Sequence, residues 1–346
     1  MNVMLAAKLY APNNIKIEKI PIPTFKENEV LIRIKAVGIC GSDIHLYKNG
    51  RIASTIMKEP LILGHEATGE IVEVGKGVSG FQFGDRVIIE PGISCGECPF
   101  CRRGEYNLCP AQAFKGIPDT QGCLCEYVVV PRHYVHKLPS DLPFADGTLI
   151  EPFCVALQGL SEGNVKPGDT VAILGAGPVG LMALQGALVR GAAAVYVVDL
   201  YPQRLELAQK LGAASIINAT VEDPIKAIRD LSGGMGTDVV METSGSAVCA
   251  EQAMKIVRRG GTIVFVGVGC GEVKFNVDIL TRSRLKLTGT FRYANQYPVA
   301  IKLVSTERID LHSLVTHRFS LDKVQEAFEF LTTHKNEVIK AVITMK

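Results

Sequence analysis

The chain has 346 residues, 47% of them hydrophobic, and a formal net charge of +2 at neutral pH. That length suits about two globular domains, and so balanced a charge leaves no electrostatic footprint for nucleic acid or an anionic membrane. Ten cysteines, in a chain whose start, MNVMLAAKLYAPNN, lacks the apolar core of an export signal, imply reduced thiols and metal ligation in a cytoplasmic protein rather than disulfides.

Up to about residue 150 the chain reads as short alternating runs punctuated by Gly and Pro, at residues 4–10, 15–20, 30–37, 70–74, 86–89 and 127–130. Closely spaced short strands predict a barrel-like β domain, with no helix-period segment interrupting it. The stretch from Cys40 to Glu66 organises this domain. Cys40 falls where the strand at 30–37 ends and the chain turns, and His65-Glu66 fall in a second turn between extended segments. A thiolate, an imidazole and a carboxylate form a borderline-soft set suited to zinc, and three protein donors leave open the position that a catalytic metal needs. Single Cys and His residues are more often packing residues, so the reading depends on what the rest of the chain adds.

The next signal is Cys95-x2-Cys98-x2-Cys101-x7-Cys109. Four thiolates this close can close around one tetrahedral ion, which makes the site structural rather than catalytic. An iron–sulfur cluster is the rival reading, but ferredoxin spacing ends in a three-residue gap where this chain has seven, which favours zinc. Cys123, Cys125, Cys154, Cys249 and Cys270 lack ligand spacing and read as small buried residues.

Glu151-Pro152 marks a boundary. Beyond it, apolar strands at 171–174, 195–198, 215–217, 239–241 and 262–266 alternate with helix-length segments, the pattern of a parallel sheet covered on both faces. Residues 170–189 are nearly free of charge and about as long as a membrane span. Gly175-Ala176-Gly177-Pro178 interrupts them, so a buried strand, a glycine turn and a buried helix explain the run better.

The turn itself reads Gly175-Ala176-Gly177-Pro178-Val179-Gly180. In such a turn the first glycine permits the bend, the second lets backbone approach a pyrophosphate, and the third lets helix and strand pack closely. Asp199, about twenty residues on, ends the next strand, where a carboxylate would accept the adenosine ribose hydroxyls and repel a 2′-phosphate, favouring NAD over NADP. Arg204, nearby, can serve either cofactor. The last strand is expected over residues 285–290, two amphipathic helices over 297–306 and 322–333, and a final strand over 338–345 that rejoins the first domain. The substrate cleft is then expected between the domains.

With these signals in view, the whole chain resembles the zinc-containing medium-chain alcohol dehydrogenases, and among them the sorbitol (polyol) dehydrogenases. The resemblance rests on GICGSD at 38–43, GHEA at 64–67, IEP at 150–152, and Phe291-Arg292-Tyr293 followed by Pro298-Val299-Ala300. It implies an α/β protein with a GroES-like β-barrel catalytic domain over residues 1–154, a Rossmann doubly wound domain over 155–288, and a C-terminal segment over 289–346 that rejoins the catalytic domain. It also implies a catalytic zinc held by Cys40, His65 and Glu66, with Glu151 beside the metal as a water partner or exchanging ligand, and a structural zinc at Cys95, Cys98, Cys101 and Cys109. The substrate would be an unphosphorylated polyol lined by Phe114, Arg292 and Tyr293, and NAD would meet Gly175, Gly177, Pro178, Val179, Gly180, Asp199, Arg204, Val266, Val268, Phe291 and Arg292. A homotetramer is implied as well.

Such a metal would polarise the substrate hydroxyl while hydride leaves carbon for nicotinamide. Ser42 is then the first proton relay or a cap of the turn, His45 a second relay or a surface residue, and Asp43 an orienter of a metal ligand or a brace of the turn. Threonine 3-dehydrogenases, butanediol dehydrogenases and polyol-phosphate dehydrogenases share these signatures and remain alternatives. The chain keeps the four-cysteine lobe that mammalian sorbitol dehydrogenases lack, and has Leu46 where their motif has a tyrosine, with Tyr47 displaced by one place.

Overall fold

The computed structural model describes residues 3–52, 55–118 and 120–345. The chain divides into two units, Met1–Glu151 with Tyr297–Ile301 and Leu311–Lys346, and Pro152–Gln296 with Lys302–Asp310.

In the first unit the Val3–Ala11 and Asn14–Pro21 strands form an antiparallel hairpin, with Leu61–Ile62 added at its edge. A larger sheet runs in the order Val135–Lys137, Arg86–Ile89, Glu66–Val74, Glu29–Gly38, Lys340–Thr344 and Val315–Ser320, and Tyr127–Pro131 also pairs with Glu29–Gly38. The Glu29–Gly38 strand is central because β-branched and aliphatic residues fill it. Ile32 and Ile34 lie fully buried with Leu9, Leu63 and Ile71, and each such side chain contributes about 1.5–3 kcal/mol. The last strand of the chain pairs antiparallel with this one, Val342 opposite Gly38.

The expectation that no helix interrupts the β unit fails at Gly41–Asn49, which is α-helical. Its buried residues, Asp43, Leu46 and Tyr47, stand three and four apart, as on one helix face. One of the three is a carboxylate, so a reading of apolar periodicity passes over the segment. Gly50, at φ 63°, ends the helix and donates to the Leu46 carbonyl. Tyr47 is a core residue: its ring lies 5.1 Å from Phe328 and its hydroxyl accepts a 3.0 Å bond from the Gln325 amide.

The second unit is a six-stranded parallel sheet in the order Ser215–Asn218, Ala194–Asp199, Thr170–Leu174, Thr237–Glu242, Val257–Phe265 and Lys286–Gly289. This is the doubly wound order, with its switch point between Thr170–Leu174 and Thr237–Glu242, beside which nucleotides bind in such sheets. The charge-free run resolves into the Thr170–Leu174 strand and the Pro178–Val189 helix, residues 180–187 of which are all buried. Among the described residues, no helix is long and apolar enough to cross a membrane.

Candidate metal centres and dinucleotide turn

Cys40 ends the central strand's exit and stands at the N-cap of the Gly41–Asn49 helix. Asp43, in that helix's first turn, accepts the Cys40 amide at 2.9 Å and the Gly64 amide at 3.1 Å. It thereby ties the thiol's turn to the His65 turn and caps the helix, the task the sequence had offered to Ser42, which lies half-buried on the same turn. His45 is exposed. Gly64 has φ 88°, and a side chain there would meet Val37 at 2.7 Å, so only glycine lets the chain deliver His65 at this point.

Ligand atoms of Cys40, His65 and Glu66 all lie within 4.8 Å of one another, and Glu151 is outside this compact set. His65 and Glu66 are buried. The Nδ1 of His65 has no hydrogen-bond partner and faces Asp43 Oδ1 at 3.8 Å, while the Cys40 side chain also acts on the ring. Burial works to lower the imidazole pKa. The Asp43 carboxylate, the Cys40 sulfur and Glu151 outweigh it and raise the pKa to about 10. Burial also pushes Asp43 up, but two amide donors reward its charged form, so of the pair the imidazole holds the proton. An imidazole beside a thiol and a carboxylate, with its Nδ1 turned to a second carboxylate, has the surroundings of a metal-binding histidine. The set fits a divalent ion, whose binding displaces that proton.

Glu66 opens the Glu66–Val74 strand opposite Gly38, and a side chain at Gly38 would come 2.0 Å from its carboxylate. Both carboxylate oxygens accept 2.7 Å bonds from Lys340 Nζ, which also donates to the Ile39 carbonyl at 3.2 Å. Lys340 is 3% exposed. Burial opposes its charge, but Glu66 foremost, with Cys40 and Glu151, raises its pKa. The Phe114 ring lies 5.3 Å from the His65 imidazole and walls one side of it.

In the cysteine lobe, sulfur separations are 3.5 Å for Cys98 and Cys101, 3.5 Å for Cys95 and Cys109, and 3.9 Å for Cys95 and Cys101. A tetrahedron with bonds of about 2.3 Å puts sulfurs about 3.8 Å apart. The lobe therefore fits one ion, whereas a multi-iron cluster would need room between the thiolates for its irons and sulfides. Amide donors of Glu97 and Cys98 bring the Cys95 thiol down to about 7, toward the thiolate that a metal requires.

The dinucleotide turn follows the Thr170–Leu174 strand. Gly175 has φ 108°, Gly177 caps the Pro178–Val189 helix with no atom near its missing side chain, and at Gly180 a side chain would come 1.9 Å from the Gly175 carbonyl. Asp199, at the end of the adjacent strand, accepts the Ala176 amide at 2.6 Å and the Leu200 and Tyr201 amides at 2.7 and 3.0 Å. It thus braces the glycine turn. The Arg204 guanidinium stacks over Tyr201 at 5.0 Å. Val266 is buried and Val268 exposed, just past the Val257–Phe265 strand.

The sequence reading missed Glu242. This buried carboxylate ends the strand across the switch point and accepts the Ser244 and Gly245 amides at 2.8 and 3.0 Å, which sets Ser244 against Gly175. The signal available was Thr243-Ser244-Gly245-Ser246 directly after an apolar strand. Phe291, Arg292 and Tyr293 follow the last strand of this unit. Arg292 adopts φ 54° with its guanidinium 4.8 Å above the Phe291 ring, and Tyr293 is buried. A non-glycine residue held in the left-handed region costs about 1–2 kcal/mol, a strain that often marks functional loops.

A barrel-like unit with two sets of metal-type donors and a doubly wound unit with a dinucleotide turn define a metal- and nucleotide-dependent oxidoreductase. Residues 26–140 match the GroES-like domain of alcohol dehydrogenases, and residues 178–306 match the zinc-binding dehydrogenase family. The chain belongs to the zinc-containing medium-chain alcohol dehydrogenases. It is 41% identical to a sorbitol dehydrogenase of Bacillus subtilis over 98% of this chain and 97% of that one. It is 40% identical to a D-xylulose reductase of Saccharomyces cerevisiae, again over 98% of this chain and 97% of the relative. An Escherichia coli oxidoreductase of unknown specificity superposes with a TM-score of 0.96 at 41% identity, over 100% of both chains.

Proposed function

We propose that the protein oxidises a secondary hydroxyl of an unphosphorylated polyol, of the sorbitol or xylitol type, next to the terminal carbon, passing hydride to NAD and giving a ketose. The observation that carries this reading is the compact Cys40, His65 and Glu66 donor set in a chain whose relatives are named for an alditol and for a ketose. Cys40, His65 and Glu66 would hold a catalytic zinc, with Glu151 near it, and Cys95, Cys98, Cys101 and Cys109 a structural one. When bound, the catalytic ion supplies Lewis acidity toward the reacting hydroxyl.

The chain's own residues do the rest. Asp43 orients His65, Phe114 walls the site, and Ser42 passes the hydroxyl proton outward. Glu151, Arg292 and Tyr293 supply donors and acceptors for the neighbouring hydroxyls. Gly175, Gly177, Pro178, Val179 and Gly180 receive the pyrophosphate, Asp199 the adenosine ribose, and Arg204, Val266, Val268, Phe291 and Arg292 the remainder of NAD. Ten cysteines outside any disulfide agree with a cytoplasmic protein, and the family resemblance supports a homotetramer.

A site built to bond hydroxyls discriminates against substrates without them, because its own polar groups then stay unpaired. The test compares kcat/KM with NAD for sorbitol and xylitol against ethanol, threonine and a polyol phosphate, in the wild type and in Arg292→Ala. Polyols should lead and Arg292→Ala should impair them. A win for threonine or the phosphate, or polyol oxidation untouched by Arg292→Ala, would overturn the assignment.

A further inference from the structure

We propose that Lys340 is a positioning residue for the metal site, one that holds Glu66 as a weakened, exchangeable donor. The inference rests on the metal-site reading above and concerns a residue which that reading does not use.

Three observations carry it. Glu66 is fully buried and spends both carboxylate oxygens on a single ammonium, at 2.7 Å each. The same carboxylate has an oxygen within 4.8 Å of the Cys40 and His65 donor atoms. The ammonium is fixed independently of Glu66, since it also bonds the Ile39 carbonyl and its stem rises from the Lys340–Thr344 strand paired beside Gly38. Gly38, lacking a side chain, leaves the room that the Glu66 carboxylate occupies. A carboxylate shared between a fixed cation and a divalent ion would give each less than its full charge, and would be the weaker and more easily displaced donor for it. Without Lys340, Glu66 becomes an uncompensated buried charge whose remaining partner is the divalent ion. The ion should then be gripped harder, and the metal-free fold should suffer more than the loaded one.

The experiment follows zinc release to a chromogenic chelator and thermal melting with and without zinc, in the wild type, Lys340→Met and the double variant Glu66→Gln/Lys340→Met. The phase belonging to this site is the one that Cys40→Ser removes. In Lys340→Met, release should slow at least about tenfold, equivalent to about 1.4 kcal/mol, and the metal-free protein should lose more melting temperature than the loaded one. The double variant should regain metal-free stability and release zinc faster than the wild type.

Unchanged or faster release in Lys340→Met, or equal losses of melting temperature in both forms, would overturn the inference. If Lys340→Met folds only with metal, or fails to fold while the double variant folds, the uncompensated charge is demonstrated. If both variants fail to fold, Lys340 serves the fold alone and the inference falls. A wild type with no phase removed by Cys40→Ser would instead defeat the metal-site reading itself.

Discussion

Gly177 and Gly180 belong to one turn but should fail in opposite ways when a methyl group is added. At Gly180 the new carbon would stand 1.9 Å from the Gly175 carbonyl oxygen and 2.9 Å from Thr243 Oγ1. A backbone atom must therefore retreat by about 1 Å, and overpacking of that kind costs about 1–3 kcal/mol. For a unit of this size each kcal/mol moves the melting temperature by about 2–4 °C, so Gly180→Ala should melt about 2–12 °C lower.

Gly177 has φ −72° and nothing within 4 Å of the added carbon. The loss of a favourable helix cap and the gain from a stiffer unfolded chain each come to less than about 1 kcal/mol and oppose one another. Gly177→Ala should thus melt near the wild type yet bind NADH at least about tenfold more weakly, about 1.4 kcal/mol, because the methyl occupies the phosphate's approach. Calorimetry and NADH fluorescence titration measure the two effects separately. A Gly177→Ala protein that binds NADH normally, or a Gly180→Ala protein that melts like the wild type, would refute the division of roles.

Chelation should remove the Cys40, His65 and Glu66 ion first, and activity with it, while the closed cysteine lobe retains its own; simultaneous loss of both ions would contradict unequal roles. Asp199→Ala should weaken use of NAD and narrow its preference over NADP, read as kcat/KM for both; because Asp199 also holds the Ala176 amide, some melting temperature should go too, and equal wild-type use of NADP would sink the assignment. His65 is raised from 6.5 to about 10 in the metal-free fold, so its contribution is full below about pH 6.5 and is lost as pH rises through about 10. Metal-free protein should lose stability over that window while metal-loaded protein does not, and parallel pH curves would exclude it.

The strands were legible because β-branched runs alternate with glycine turns, and the glycine turn because its spacing is a mechanical requirement. Cys40, His65 and Glu66 could be read as a set because each sits at a turn next to an apolar run. Asp43 was legible as a brace from its place after Cys40. What escaped was set by distance in the chain. Lys340 is one charge within an apolar strand, and nothing local says that a carboxylate 274 residues earlier neutralises it. Glu242 looked like the polar end of a strand, since its task of holding Ser244 against Gly175 exists only once parallel strands align. The Gly41–Asn49 helix was missed because its inward face includes a carboxylate, and Arg292's left-handed backbone has no sequence mark at all.

The pairing of the last strand with the Glu29–Gly38 strand also orders events during synthesis. At about 5–20 residues per second, Lys340 leaves the ribosome roughly 14–55 s after Glu66, from which it stands 274 residues away in sequence. The nucleotide-binding sheet, whose strands span Thr170 to Gly289, is finished in that interval. The nascent chain therefore carries a completed sheet while Glu66 still waits for its buried counter-charge. Zinc captured early would meet an unneutralised carboxylate, and, if Lys340 weakens Glu66 as proposed above, its arrival would then loosen a grip already made and make the order of metal capture and strand closure a step in maturation.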